Sequence, residues 1–249
     1  VVLESIAENV TFYKNTLDAK SFQALSATLS QGTKYLETHT NFNAFDRAYF
    51  IKNIANPLSK QLYQCQKSAS IPFLKETRAL KTTAQTLFDK NAFDIEAFNG
   101  FPDYKTTPEK IALGKKLFND PILSGNNSRS CASCHYSDIA FTDGLEQTIS
   151  LDGKTKVKRN TPTLMNIAFQ RAFFYDSKVS YLEDQAVAVI TNEIEMHGSL
   201  EKSVKALKKD KKYAAEFKKA FPKNEINEFG IKNALASYVR SLSQYNSKF

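Results

Sequence analysis

The 249-residue chain predicts an all-α architecture in two parts, and three observations carry that reading. Glycine and proline are scarce, at 8 and 7 residues, which leaves little turn chemistry for a many-stranded sandwich. Apolar residues recur at helical spacing through residues 1–100 and again from about residue 181. Between these regions, residues 122–162 carry turn signals without periodicity, and an irregular stretch of that length is unusual unless it wraps something. With 42% hydrophobic and 24% charged residues the composition is that of a folded globular chain. No window approaches the roughly 18 uninterrupted apolar residues of a membrane-spanning helix.

In chain order, Leu3, Ile6, Ala7, Val10, Tyr13 and Leu17 form one apolar stripe, and Phe22, Leu25 and Leu29 a second. Phe42, Phe45 and Tyr49 open a third helix, expected to stop or kink near Pro57. Another helix is expected from about Pro72 to Phe88. His39 reads as a surface or packed residue, and Cys65 as a small buried hydrophobe. The turn-rich run Asn99-Gly100-Phe101-Pro102-Asp103-Tyr104 sets a boundary near residue 100. It separates a helical domain of unassigned role, residues 1–100, from a second domain, residues 101–249.

Thr107-Pro108-Glu109 has the pattern of N-cap, N1 and N2 of a helix. Ile111, Gly114, Leu117 and Phe118 carry that helix to Asn119-Asp120-Pro121, where the proline ends it. Ser124-Gly125-Asn126-Asn127, Asp143-Gly144 and Asp152-Gly153 mark turns. Helix resumes with Leu182, Ala186, Val189 and Ile190, and the last stripe runs through Ile231, Ala234, Leu235, Tyr238, Val239 and Leu242. The chain opens on Val1 without a signal peptide, so it reads as processed or excised.

Net charge is +8, and much of it lies between Ser199 and Lys223, where nine lysines face Glu201, Asp210 and Glu216. Leu200, Val204 and Leu207, then Tyr213, Phe217 and Phe221, keep helical spacing on the opposite side. The lysines therefore read as the solvated side of two helices. The functional alternative is a docking face for an acidic redox partner. Nucleic acid is not expected, because no binding motif accompanies the lysines and arginine is scarce there.

The decisive motif is Cys131-Ala132-Ser133-Cys134-His135. Two thiols three positions apart can add to the vinyl groups of haem, and the adjacent histidine can then ligate the iron. Cys131 and Cys134 are thus the expected thioether anchors of one covalent haem c, with His135 as axial ligand. The second domain is accordingly expected to be a cytochrome c-type haem domain with long loops around the haem. A zinc site would need further paired Cys or His ligands, and only His39, His197 and Cys65 remain. A thioredoxin-like pair would need a βαβ context, and none is present. Met165, Met196 and His197 are the downstream candidates for the sixth position.

Beyond that motif the residues resemble the bacterial di-haem cytochrome c peroxidase family, which includes the MauG-type enzymes. The resemblance runs from about Thr107 to Phe249. It is carried by Leu113-Gly114-Lys115-Lys116-Leu117-Phe118-Asn119-Asp120-Pro121, Leu123-Ser124-Gly125, Phe141-Thr142-Asp143-Gly144 and Arg159-Asn160-Thr161-Pro162-Thr163-Leu164 around the haem motif. It implies the N-terminal, peroxidatic haem region, hydrogen peroxide as substrate and periplasmic location. By family spacing, Gln185 and Glu195 are expected to form the distal pair of a peroxide pocket. Splitting peroxide heterolytically moves a proton from one oxygen to the other, which is general acid–base work suited to a buried carboxylate. An amide such as Gln185 can orient the substrate. The resemblance also implies calcium at Asn160 and an electron-transfer role for Tyr175, which stands where the family has tryptophan.

Two further departures shape the expectation. Only one haem motif is present, so the second haem domain that would deliver electrons from a small donor redox protein is missing, as in a fragment. No histidine lies between His135 and His197, so a His-capped resting iron is not expected. The alternatives are a mono-haem electron-transfer cytochrome ligated by Met165 or Met196, and a MauG-like enzyme oxidising a protein substrate.

Overall fold

Polar caps and apolar stripes set the helices in this computed structural model, which describes residues 1–245. They fall into two units, residues 1–94 with Tyr245 and residues 95–244. The expected all-α class holds. Among the described residues β pairing is confined to isolated bridges, such as Tyr136 with Thr142 and Ile149 with Lys156.

The first unit contains α1 (Val2–Thr11), α2 (Ala19–Thr38), α3 (Arg47–Phe50) and α4 (Asn56–Ser68). Leu25, Leu29, Leu58, Val10 and Cys65 form its core, with Leu3, Ile6 and Leu62 packed against them. The first stripe ends earlier than Leu17, because Thr11 turns its hydroxyl back onto the Glu8 carbonyl at 2.6 Å. Tight turns then lead to Asp18, whose carboxylate caps α2 by accepting from the Ser21 amide at 2.9 Å. Cys65 is a free, buried thiol, and burial raises its pKa. His39 stacks on Tyr35 with ring centroids 4.0 Å apart.

The third helix does not stop at Pro57, although its α-geometry is interrupted just before that residue, where Ile51–Ala55 form a π-turn between α3 and α4. The Asn56 amide bonds to the Ile51 carbonyl, and this shift of register leaves Pro57 in the first turn of α4. Its missing N–H costs nothing there. The helix expected from Pro72 to Phe88 does not form. The Asp89 carboxylate takes the Gln85 amide at 2.8 Å and the Thr86 hydroxyl at 2.9 Å, diverting this segment into turns.

In the second unit α5 (Pro108–Asn119) begins on the expected cap, the Thr107 hydroxyl accepting from the Lys110 amide at 3.3 Å. It crosses α9 (Glu228–Ser241) at backbone contact. A Cβ on Gly114 would lie 1.9 Å from the Ala234 carbonyl oxygen, so only glycine permits the crossing. Phe118 packs edge-on against Tyr238 at 5.1 Å beside it. Next to α9 lies α6 (Leu182–Thr191), joined to it by buried Glu183, Asn233 and Arg240. The Asn233 amide donates to Glu183 at 3.0 Å and to the Tyr104 carbonyl at 2.9 Å.

The lysine-rich helices are α7 (Leu200–Lys209) and α8 (Lys211–Ala220). Leu200, Leu207, Tyr213 and Phe217 are buried, while the nine lysines are exposed. Tyr213 ties α8 to the end of α5 by donating to the Asp120 carboxylate at 2.7 Å. Between α5 and α6 the chain is irregular apart from short 3-10 turns. No helix among the described residues is long and apolar enough to cross a membrane.

Candidate haem-attachment site

The attachment motif lies on a 3-10 turn, Cys131–Ser133, with reciprocal capping by Ser130 and Ser133. The Ser130 amide donates to the Ser133 hydroxyl at 3.0 Å, and the Ser133 amide to the Ser130 carbonyl at 3.1 Å. The Cys131 carbonyl then accepts from the amides of Cys134 and His135, at 3.2 and 3.0 Å. This turn gathers both thiols and the imidazole. Both thiols are free, and Cys131 packs against the core of the second unit. Burial pushes the Cys131 thiol up to about 12 and raises that of Cys134 as well.

His135 is oriented through its Nδ1, which lies 2.7 Å from the Phe141 carbonyl oxygen. A carbonyl only accepts, so Nδ1 carries the proton and Nε2 keeps its lone pair for a metal. The carbonyl is aimed by two successive left-handed residues, Ala140 at φ 58° and Phe141 at φ 60°. Neither is glycine, so each costs about 1 kcal/mol or more. The turn is held by the Phe141 amide on the Tyr136 carbonyl at 2.7 Å and by the Thr163 hydroxyl on the Ala140 carbonyl at 2.5 Å. Burial lowers the His135 pKa, favouring the neutral ligand form. Nearby, burial works against the Asp143 charge, but bonds from Thr148, the Leu145 amide and Thr161 outweigh it and hold the carboxyl below its usual range.

Free neutral thiols, a proximal imidazole with one nitrogen available and an apolar surround fit a covalently attached haem.

Glu195 stands in a tight turn after α6. The Asn192 carbonyl accepts from the amides of Glu195, Met196 and His197 at 3.1, 3.1 and 2.8 Å. The Asn192 side chain donates to the Glu195 carboxylate at 3.0 Å. Two distant loops fix this turn: the Gly125 amide donates to the Met196 carbonyl at 2.9 Å, and the Leu151 amide to the Ile194 carbonyl at 2.8 Å. A Cβ on Gly125 would fall 2.1 Å from the His197 carbonyl oxygen, so glycine is required for that approach. Burial raises the Glu195 pKa, opposed by the Asn192 bond and by the charges of Lys178 and Arg129.

The structure thus gathers Cys131, Cys134 and His135, and sets Glu195 close enough for its charge to act on Cys134. Gln185 is half-buried on α6, and its side chain has no hydrogen-bond partner among the described residues. Tyr175 is 90% exposed, with the Arg159 guanidinium 5.2 Å from its ring. Asn160 is exposed, and one amide oxygen is a single ligand of the roughly six to eight that calcium takes. No group of three His, Cys, Asp or Glu side chains suited to a metal occurs among the described residues. Met196 is buried in the core, at 2% exposure, and Met165 is partly buried.

Arg129 and Asn192 escaped the sequence reading as site residues. Asn192 had a local signal, an Asn three residues before the acid at a helix end. Arg129 had none, because its partners lie twenty residues away.

A helical domain closing around an exposed-edge Cys-x-x-Cys-His turn, with a positioned imidazole, is the build of a c-type haem protein. The profile of the di-haem cytochrome c peroxidase family matches residues 108–249, more than half of the chain, and the chain belongs to that family. It is 40% identical over 144 residues to the methylamine utilization protein MauG of Methylorubrum extorquens, covering 57% of this chain and 40% of that one. With the cytochrome c551 peroxidase of Pseudomonas aeruginosa it shares 33% identity over 178 residues, 71% of this chain and 50% of the relative. Among solved structures, a MauG-like protein associated with microbial copper homeostasis superposes with a TM-score of 0.55 at 31% identity, over 58% of this chain and 43% of that one. The chain therefore spans half or less of the length of these relatives.

Proposed function

We propose that residues 101–249 form the peroxidatic haem c domain of a hydrogen-peroxide-reducing enzyme, with residues 1–100 as a helical extension. The single observation that carries this reading is Glu195: a carboxyl kept part-buried, raised in pKa and pinned by Asn192, whose charge is felt at Cys134 of the haem-attachment turn. Haem c, when bound, supplies a redox-active iron that accepts peroxide and passes electrons to it. The chain's residues do the rest. Cys131 and Cys134 would hold the group through thioether bonds, and Nε2 of His135 would supply a ligand to its iron. Phe141 fixes the tautomer of His135 through its carbonyl. Glu195 takes a proton from one peroxide oxygen and returns it to the other, a transfer that a raised carboxyl pKa brings nearer to neutral pH. Gln185, whose side-chain amide has no hydrogen-bond partner among the described residues, orients the substrate.

Under this reading electrons come from a second haem domain, fed by a small redox protein. Tyr175, exposed and backed by Arg159, is the surface point for that transfer. A calcium ion at Asn160 would need several further oxygen ligands beside that one amide. Since haem c is attached outside the cytoplasmic membrane, the protein works in the periplasm.

The 40% identity to a MauG favours one second reading, oxidation of a protein substrate at the same haem. The ferric spectrum of haem-loaded protein, with and without cyanide, tests the main proposal. A high-spin ferric haem that binds cyanide readily supports it. A low-spin haem with a Met charge-transfer band that resists cyanide overturns it in favour of an electron carrier. Peroxide-driven oxidation of a small redox protein, against oxidative modification of a protein substrate's side chains, separates the two enzyme readings.

A further inference from the structure

Arg129 lies two residues before the first attachment cysteine, yet it points away along the chain. Its guanidinium donates to the Ile149 carbonyl at 3.0 Å and to the Ser150 carbonyl at 2.8 Å. The next residue, Leu151, donates its amide to the Ile194 carbonyl at 2.8 Å. Ile194 immediately precedes Glu195. A continuous path of short polar contacts therefore runs from the attachment segment, through residues 149–151, to the acid.

The intermediate loop is braced for such a role. The Asp152 carboxylate accepts from the Ser150 hydroxyl at 2.6 Å and from the amides of Lys154 and Thr155 at 2.8 and 2.9 Å. The Ser150 amide donates to the Thr155 carbonyl at 2.9 Å, and Ser150 is itself buried. A closed turn of this kind transmits position, whereas an open loop would absorb it. The positive charge of Arg129 also reaches both ends, acting on Cys134 and on Glu195.

We propose that Arg129 is a positioning residue: clamped on the Ile149 and Ser150 carbonyls, it holds the 149–155 loop as a strap that fixes Glu195 relative to the Cys131–His135 turn. This rests on the proposed role of Glu195 for its functional meaning, though not for its structural content. Two forked, charge-assisted bonds suit arginine, whose planar guanidinium reaches the two carbonyls from separate nitrogens, whereas a lysine would have to serve both from one.

Lys154, Lys156 and Lys158 are exposed on or beside the strap, so trypsin reads its opening directly. In haem-loaded protein, Arg129→Gln is expected to speed cleavage after these lysines about tenfold while leaving the lysines of α7 and α8 unchanged. Arg129→Lys should fall between. The association rate of cyanide should change about threefold in Arg129→Gln, and that change should disappear in a Glu195→Gln background. Unchanged strap cleavage overturns the proposal. So does faster cleavage with no effect on cyanide in a protein where Glu195→Gln alone alters cyanide binding. If Arg129→Gln exposes every lysine alike, Arg129→Met, which keeps the stem but has no donor, becomes the deciding variant, and parental cleavage there overturns the two-carbonyl clamp. A parent protein that fails to bind cyanide sinks the peroxidase reading, while trypsin still tests the strap.

Discussion

A single nitrogen of Arg240, Nη2, bridges both carboxylate oxygens of Glu183, at 2.8 and 2.9 Å, and the two side chains are 3% and 0% exposed. This pair, with Asn233, is the polar seam between α6 and α9. It also reaches the loop before α5, since Asn233 donates to the Tyr104 carbonyl.

Breaking that seam from one side leaves a buried charge alone. Glu183→Gln or Arg240→Met is expected to destabilise the chain by about 3–5 kcal/mol, read as a lower midpoint in urea. The double replacement should recover much of the loss. An additive double mutant would mean that the two residues do not act as a pair.

The α5–α9 crossing predicts intolerance at a second point. Gly114→Ala places a methyl 1.9 Å from the Ala234 oxygen, and backbone cannot step aside as a side chain would. The expected cost is at least the ~1–3 kcal/mol of overpacking. Thermal unfolding measures it, and an unchanged Tm would refute so close a crossing.

How much of this is readable in the sequence varies with how local the cause is. The Thr107 cap, Pro108 and the stripe of α5 sit within a few residues of one another, and the helix forms where they indicate. The haem turn is legible for the same reason. By contrast, the π-turn at Ile51–Ala55 hides in an ordinary helical stripe, and the apparent helix over Pro72–Phe88 loses to Asp89, whose carboxylate captures the backbone. At the site, spacing points to Glu195, but its hold on the Gly125 and Leu151 loops depends on pairings about seventy and forty residues apart. No local pattern encodes those.

The proton-transfer role proposed for Glu195 gives a signed pH prediction. Its function as acceptor needs the ionised form, and burial raises its pKa. The acid limb of peroxide turnover should therefore lie above the ordinary glutamate pKa of about 4.3. Asn192→Ala removes a bond to the ionised carboxylate and should move that limb higher still. Glu195→Gln should abolish the limb and slow turnover about 10²–10⁴-fold; a retained limb would assign it to another group.

Asp143 predicts the opposite sign, in stability. Its folded-state pKa is depressed by Thr148, Leu145 and Thr161. Its contribution is complete above the unfolded aspartate value, about 3.9, and is lost as pH falls through the lower folded value. Asp143→Asn should remove that part of the acid sensitivity, as followed by thermal unfolding between neutral and strongly acidic pH.

The burial that lifts the Cys131 thiol to about 12 has a temporal consequence. Oxidants and disulfides react with thiolate, and at neutral pH a group of that pKa is ionised on the order of once in 10⁵. Cys134, also raised, is slowed in the same direction. Burial of both sulfurs therefore slows every reaction that needs the thiolate, closure of a disulfide between Cys131 and Cys134 included.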